Sequence, residues 1–147
     1  MPERASPRGY TLAFDFGTRR IGVAVGQSTT CTASRLETVR NGREPDWAAI
    51  ERLVREWQPR QLVVGLPLGP EGDETEMSRA ARRFGRSLED RLALPVEFYD
   101  ERLSSRAAES RFAELRASGG VRRKNADQVD AISAQIILEN WLQSADG

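Results

Sequence analysis

The stretch LAFDFGTRRIGVAVG, residues 12–26, constrains the fold more than any other part of the chain. Two apolar runs, Tyr10–Phe16 and Ile21–Gly26, are separated only by Gly-Thr-Arg-Arg. A parallel pair needs a crossover of about a dozen residues or more. These runs are therefore expected to be two strands of an antiparallel hairpin. One acid, Asp15, interrupts the first run. An ionised carboxylate inside a sheet is costly unless something binds it, so Asp15 needs a reason to be there.

The remaining chain reads as a third strand within Thr32–Arg40, followed by helix and strand units in alternation. Trp47, Ile50, Leu53, Val54 and Trp57 recur at helical spacing, and Pro59 is expected to end that helix. QLVVGLPLGPEG gives a short buried strand that runs into a Gly/Pro loop. A helix from about Glu74 to Leu92 carries Met77, Ala81, Phe84 and Leu88 on one face and a basic stripe of Arg79, Arg82, Arg83 and Arg86 on another. PVEFYDE is a further strand. A helix capped by Ser104 or Ser105 reaches Ala117 and closes at Gly119-Gly120. A last helix, about Asp127 to Leu142, is expected to turn Val129, Ile132, Ser133, Ile136, Ile137 and Asn140 inward. Three meandering strands followed by helix and strand units predict an α/β domain with a mixed sheet.

Composition removes several chemistries. The chain of 147 residues suits a single domain, with residues 1–8 and 143–147 as frayed ends. It has no histidine and one cysteine, Cys31, so an internal disulfide, Ser-His and Cys-His nucleophiles and His-ligated zinc are excluded. No apolar run is long enough to span a bilayer, and MPERASPR does not lead into a signal peptide; a cytoplasmic protein without membrane contact is expected. The 22 basic residues are balanced by 22 acidic ones, so a polyanionic partner would have to be held by local patches. All the basic residues but Lys124 are arginine, the better bidentate phosphate ligand, although arginine-rich coding alone also produces such a bias.

Acids fall at three places this scaffold can bring together. Asp15 is near the end of the first strand, Asp100 and Glu101 end the last, and Asp127 and Asp130 open the final helix. In α/β sheets, ligands bind beyond the carboxyl ends of the parallel strands. Carboxylates without histidine or thiolate suit a hard, oxygen-seeking ion such as Mg²⁺ or Mn²⁺. Each acid also has an ordinary use. The spacing of Asp127 and Asp130 fits an N-cap and its N3 partner, Glu101 could pair with Arg102, and Asp15 could hold the turn that follows it.

DFGTRRIGVAVG, VVGLPLGPEGDETEMS, YDERLSS and DQVDAISAQIIL, in this order and at these separations, resemble the YqgF/RuvX proteins, relatives of the RuvC resolvase in the ribonuclease H-like superfamily. The resemblance covers about Tyr10 to Leu142. It implies a ribonuclease H-like fold: a central five-stranded mixed sheet, three antiparallel strands then parallel ones, with helices on both faces. It implies that Asp15, Glu101 and Asp130 are catalytic, metal-binding acids, with Asp127 as a further ligand of a two-metal Mg²⁺ or Mn²⁺ site. The implied activity is hydrolysis of phosphodiester bonds in structured nucleic acid, at Holliday junctions or at the 5′ end of precursor 16S rRNA. With no histidine, the proton acceptor would be metal-bound hydroxide, a spare carboxylate or the substrate phosphate.

Nucleic-acid contacts are expected from Arg19 and Arg20 in the hairpin turn, from Arg79, Arg82, Arg83 and Arg86, and from Arg122, Arg123 and Lys124 before the last helix. A resolvase needs two sites related by a two-fold axis, so a weak homodimer is expected; Leu66-Pro67-Leu68 and Trp141 offer it an apolar contact or belong to the core. A non-catalytic nucleic-acid adaptor of the same fold is the alternative. It would keep the basic stripe and lose the acids.

Overall fold

The computed structural model describes residues 9–30, 32–101 and 126–145, with side chains in the last segment described for 131–143. Five strands form one sheet in the order β3-β2-β1-β4-β5: β1 (Tyr10–Phe16), β2 (Arg20–Gln27), β3 (Thr32–Arg40), β4 (Gln61–Leu66) and β5 (Val96–Asp100). β1 and β2 form the expected antiparallel hairpin, and β3 extends it on the far side of β2. β4 and β5 lie parallel to β1 on its other side. The hairpin turn closes with the Gly17 N–H donating to the Arg20 carbonyl at 2.9 Å. A Cβ on Gly17 would come within 2.6 Å of that same oxygen, which explains the glycine.

Among the described residues three helices cover the sheet: α1 (Trp47–Trp57), α2 (Glu76–Leu92) and α3 (Ala126–Ala145). α1 begins at Asp46, whose carboxylate accepts from the Ala49 N–H, and ends in left-handed Gln58, with Pro59 preventing continuation. α2 starts two residues later than the periodicity predicts. Thr75 takes the N-cap because its hydroxyl and that of Ser78 exchange hydrogen bonds with each other's backbone N–H, leaving Glu74 outside the helix. The expected helix from Ser104 or Ser105 to Ala117, and Cys31, lie outside the described residues.

Strand alternation divides the core between the two sheet faces. On one, Leu12, Phe14, Ile21, Val23, Leu62 and Val64 pack under Ile50 and Leu53 of α1 and Ala81, Phe84 and Leu88 of α2. On the other, Ala13, Ala24, Val63 and Tyr99 pack under Ala134, Ile137, Leu138 and Leu142 of α3. Ala131, Ile132, Gln135 and Ile136 of α3 are buried as well, whereas Ser133 and Asn140 are half-buried rather than innermost. This helix is apolar around most of its circumference, so helical spacing alone does not select one inward face. Among the described residues, no helix is long and apolar enough to cross a membrane.

Candidate active site and nucleic-acid interface

Asp15 is the last residue but one of β1 and is half-buried. It shares its sheet face with Ala13, so it stands on the side covered by α3. The parallel ladder pairs Phe14 with Val64, which makes Gly65 of β4 the next residue beside Asp15. On the far side of Gly65, β5 pairs Tyr99 with it, and Glu101 follows the end of that strand on the Tyr99 face. A Cβ on Gly65 would meet Oε2 of Glu101 at 2.6 Å and Cδ1 of Ile137 at 2.7 Å. The missing side chain thus makes a cradle in which the Glu101 carboxylate lies across β4 toward β1, under α3.

Burial pushes the Glu101 carboxyl up from its ordinary value of 4.5, and the neighbouring Asp100 carboxylate pushes it further. A cation at this point would offset both effects. α3 approaches from the opposite direction. Its C-terminal residues Leu138 and Leu142 sit against Gly26, which pairs with Thr11 at the start of β1, while Ile137 sits over Gly65. The helix therefore runs back toward the carboxyl ends of β1 and β4. Asp130 is two turns before Ile137 on the same helical face, and Asp127 is a further turn back. The helix starts at Ala126, so Asp127 is inside its first turn rather than its cap; the side chains of both acids lie outside those described. Among the described residues no three acid or thiol side chains are close enough to share an ion. The donor set at this end of the sheet is nevertheless all oxygen, and that fits a hard divalent ion.

Arginines fall on both sheet faces. Arg19 is exposed and Arg20 half-buried, and with Thr38 and Arg40 of β3 they line a groove of about 320 Å³. The α2 stripe is on the other side of the sheet from the acids. Arg79, Arg83 and Arg86 are exposed there, and Arg83 lines a second groove of about 280 Å³ with Phe16, Trp47 and Phe84. Arg82 is engaged within the protein. Its Nη2 is 2.8 Å from Glu74 Oε2 and its guanidinium lies 5.5 Å from the centre of the Phe98 ring. Hydrogen bonding from Arg82 holds the Glu74 carboxyl below its ordinary range. Arg122, Arg123 and Lys124 lie outside the described residues.

Two contributors escape a reading of the sequence alone. Gly65 carries a visible signal, since a glycine inside LVVGL marks a close approach, but nothing local says that a distant carboxylate makes it. Thr38 and Arg40 join Arg19 and Arg20 only through the β2–β3 register. The apolar residues expected to support self-association serve this chain's own core: Leu66 is buried, Leu68 packs beside it, and the Trp141 indole donates to Glu97 at 2.9 Å.

Residues 9–144 match the family model described as RuvX: Holliday junction resolvase. A protein of Saccharophagus degradans carrying the name "Putative pre-16S rRNA nuclease" is 50% identical over 133 residues, covering 88% of this chain and 90% of that one. A Legionella pneumophila protein of the same name is 45% identical over 141 residues, covering 95% and 99%. Thermus thermophilus RuvC, solved in complex with a Holliday junction substrate, shares the fold with a TM-score of 0.63 at 17% identity, covering 94% of this chain and 96% of that one. The sheet order and the helices on both faces are those of a ribonuclease H-like fold, and the chain belongs to the RuvX family.

Proposed function

We propose that this chain is a divalent-metal-dependent nuclease that hydrolyses phosphodiester bonds in structured nucleic acid, with branched DNA and the 5′ region of precursor 16S rRNA as its substrate classes. One observation carries the reading. The Glu101 carboxylate lies across Gly65 toward the strand bearing Asp15, at the carboxyl end of the parallel strands. The relatives' names supply the substrate classes.

In this reading Asp15, Glu101 and Asp130 hold the metal, with Asp127 as a further ligand. The chemistry such ions supply is a lowered pKa for the attacking water and neutralisation of the leaving 3′ oxygen. The chain's own residues do the rest. Asp15 is fixed by the hairpin and Glu101 by its seat over Gly65, so both carboxylates are positioned before substrate arrives. Ile137 packs against the inner side of the seat. Arg19 and Arg20, four and five residues beyond Asp15, carry positive charge for the substrate backbone on the acids' side of the sheet.

The experiment is strand-resolved cleavage of a mobile four-way junction and of a structured 16S precursor 5′ segment in Mg²⁺, in Mn²⁺ and in EDTA. The reading expects cuts that require the metal. Cutting that persists in EDTA, or none on either substrate with metal present, would overturn it. Paired symmetric nicks would identify the junction as the main substrate, and single cuts confined to RNA would identify the precursor.

A further inference from the structure

We infer that the groove lined by Arg19, Arg20, Thr38 and Arg40 is a second phosphate seat, holding a backbone phosphate of the same nucleic-acid strand within about three nucleotides of the scissile one. The inference rests on the nuclease reading for the place of the scissile phosphate, and on the β2–β3 register for everything else. Asp15 pairs with Gly22, and Gly22 pairs with Thr38, so these three form one row across β1, β2 and β3. Directly opposed residues share a face, and Ala24 places this one on the α3 side, where Asp15 stands. Arg20 pairs with Arg40 two residues further along the same face.

This row sets the distance from Asp15 to Thr38 and, two residues further on, to the arginine pair. Two strand spacings of about 4.8 Å separate β1 from β3. Successive phosphates on one strand are about 3.4 Å apart along a duplex axis, which gives the stated reach.

Charge and rigidity favour an anion here. Arg19 and Arg40 line the groove as exposed side chains, so it presents positive charge to solvent. The guanidiniums can take phosphate oxygens two at a time, and a threonine hydroxyl adds a neutral donor. The turn carrying Arg19 is also held in place. Asn41, buried next to Arg40, donates from its backbone N–H to the Arg19 carbonyl at 2.8 Å and from Nδ2 to the Gly17 carbonyl at 2.6 Å. The hairpin turn is thereby fastened to the end of β3, and the arginines are presented by a fixed backbone.

The test is binding of a labelled four-way junction, followed by fluorescence anisotropy over a range of KCl in Ca²⁺, with cleavage in Mn²⁺ scored separately. Arg40→Ala should weaken binding about tenfold and reduce the magnitude of the log–log salt slope by about 0.9, the value for one phosphate contact. Arg19→Ala combined with Arg40→Ala should reduce it by about twice as much, and Arg40→Lys should retain it. Arg55→Ala, on exposed α1 surface of the opposite face, should leave the slope unchanged. Arg40→Gln with a wild-type melting temperature provides the same reading should the alanine variant fail to fold. A wild-type slope in Arg40→Ala or Arg40→Gln, or equal changes in Arg40→Ala and Arg55→Ala, would overturn the seat while leaving the nuclease reading intact. A groove-dependent slope in a protein that never cleaves would do the reverse, and no binding by the wild type would overturn both.

Discussion

The two faces of the sheet are built from different residues for different ends. Under α1 and α2 the strands present Leu12, Phe14, Ile21 and Val64, and the contacts are large and aromatic: the Phe84 ring lies 5.6 Å from Phe14, 5.0 Å from Phe16 and 5.8 Å from Trp47. Under α3 the strands present Ala13, Ala24, Gly22, Gly26 and Gly65 beside Val63 and Tyr99. Small residues bring α3 so close that a Cβ on Gly26 would touch Leu138 and Leu142 at 3.0 Å. The first face stores stability in volume. The second trades volume for close approach, and at the carboxyl ends of the strands the space left over is where Asp15 and Glu101 stand. Under the proposed function, stability and chemistry are separated by the thickness of one sheet, and changes on the two faces should be separable too.

The sharpest contrast is between Asp15→Asn and Phe84→Ala. The first removes charge and almost no volume, so cleavage should fall about 10³-fold with little change in melting temperature. The second empties a buried aromatic site and should cost about 3–5 kcal/mol of stability, while the folded fraction still cleaves. Urea melts and cleavage rates per folded molecule measure both. If Phe84→Ala lost cleavage and Asp15→Asn lost stability, the division between the faces would be wrong.

Gly65→Ala joins the two effects, because the added methyl enters the space of both the Glu101 carboxylate and Ile137. A loss of about 1–3 kcal/mol in stability is expected, with reduced cleavage in proportion to how far Glu101 is displaced. A fully active and fully stable variant would show that Glu101 has no need of the cradle.

A smaller effect separates the two signs of carboxylate titration. Glu101 binds its proton more tightly folded than unfolded, so its contribution makes the metal-free protein more stable as pH falls from neutral toward 4.5, and less stable as pH rises through its elevated value. Glu101→Gln should remove that contribution and be the more stable protein at neutral pH without metal. The difference between the two thermal-melt profiles isolates it, since Glu74 has the opposite sign: its carboxyl is held low by Arg82, and its stabilisation fades in acid. A Glu101→Gln profile parallel to the wild type would refute the assignment.

Arg82→Ala should have the smallest effect. The ion pair with Glu74 is solvent-accessible, so a stability loss under about 1 kcal/mol is expected. Because Arg82 is turned to Glu74 and Phe98, its removal should reduce the salt dependence of nucleic-acid binding less than removal of exposed Arg79 or Arg83. The reverse order would place Arg82 on the substrate.

What was legible in the chain follows from how local each cause is. Gly-Thr-Arg-Arg is too short for anything but a hairpin, and Pro59 stops α1 wherever tertiary contacts lie. The start of α2 was misplaced because Glu74 has helical propensity, while the exchange between Thr75 and Ser78 that sets the cap depends on backbone geometry. On α3, Ile132, Ile136 and Ile137 are buried as the spacing predicts, Ser133 and Asn140 are only half-buried because an apolar helix leaves its orientation to its neighbours, and Val129 lies outside the described side chains. The grouping of Arg40 with Arg20 depends on a long-range ladder that also contains an irregularity between Val23 and Ala24, which shifts every pairing on one side of it. No local pattern encodes such a shift.

In the proposed site, Asp15 and Glu101, on either side of Gly65, hold a divalent ion together with the N-terminal turns of α3. A crystal soaked in Mn²⁺ and measured for anomalous scattering tests it most directly. An ion is expected about 2.1 Å from carboxylate oxygens of Asp15 and Glu101, with Asp130 completing the donor set, and no such peak in Asp15→Asn. Manganese bound elsewhere, or a wild-type peak that survives Asp15→Asn unchanged, would contradict it.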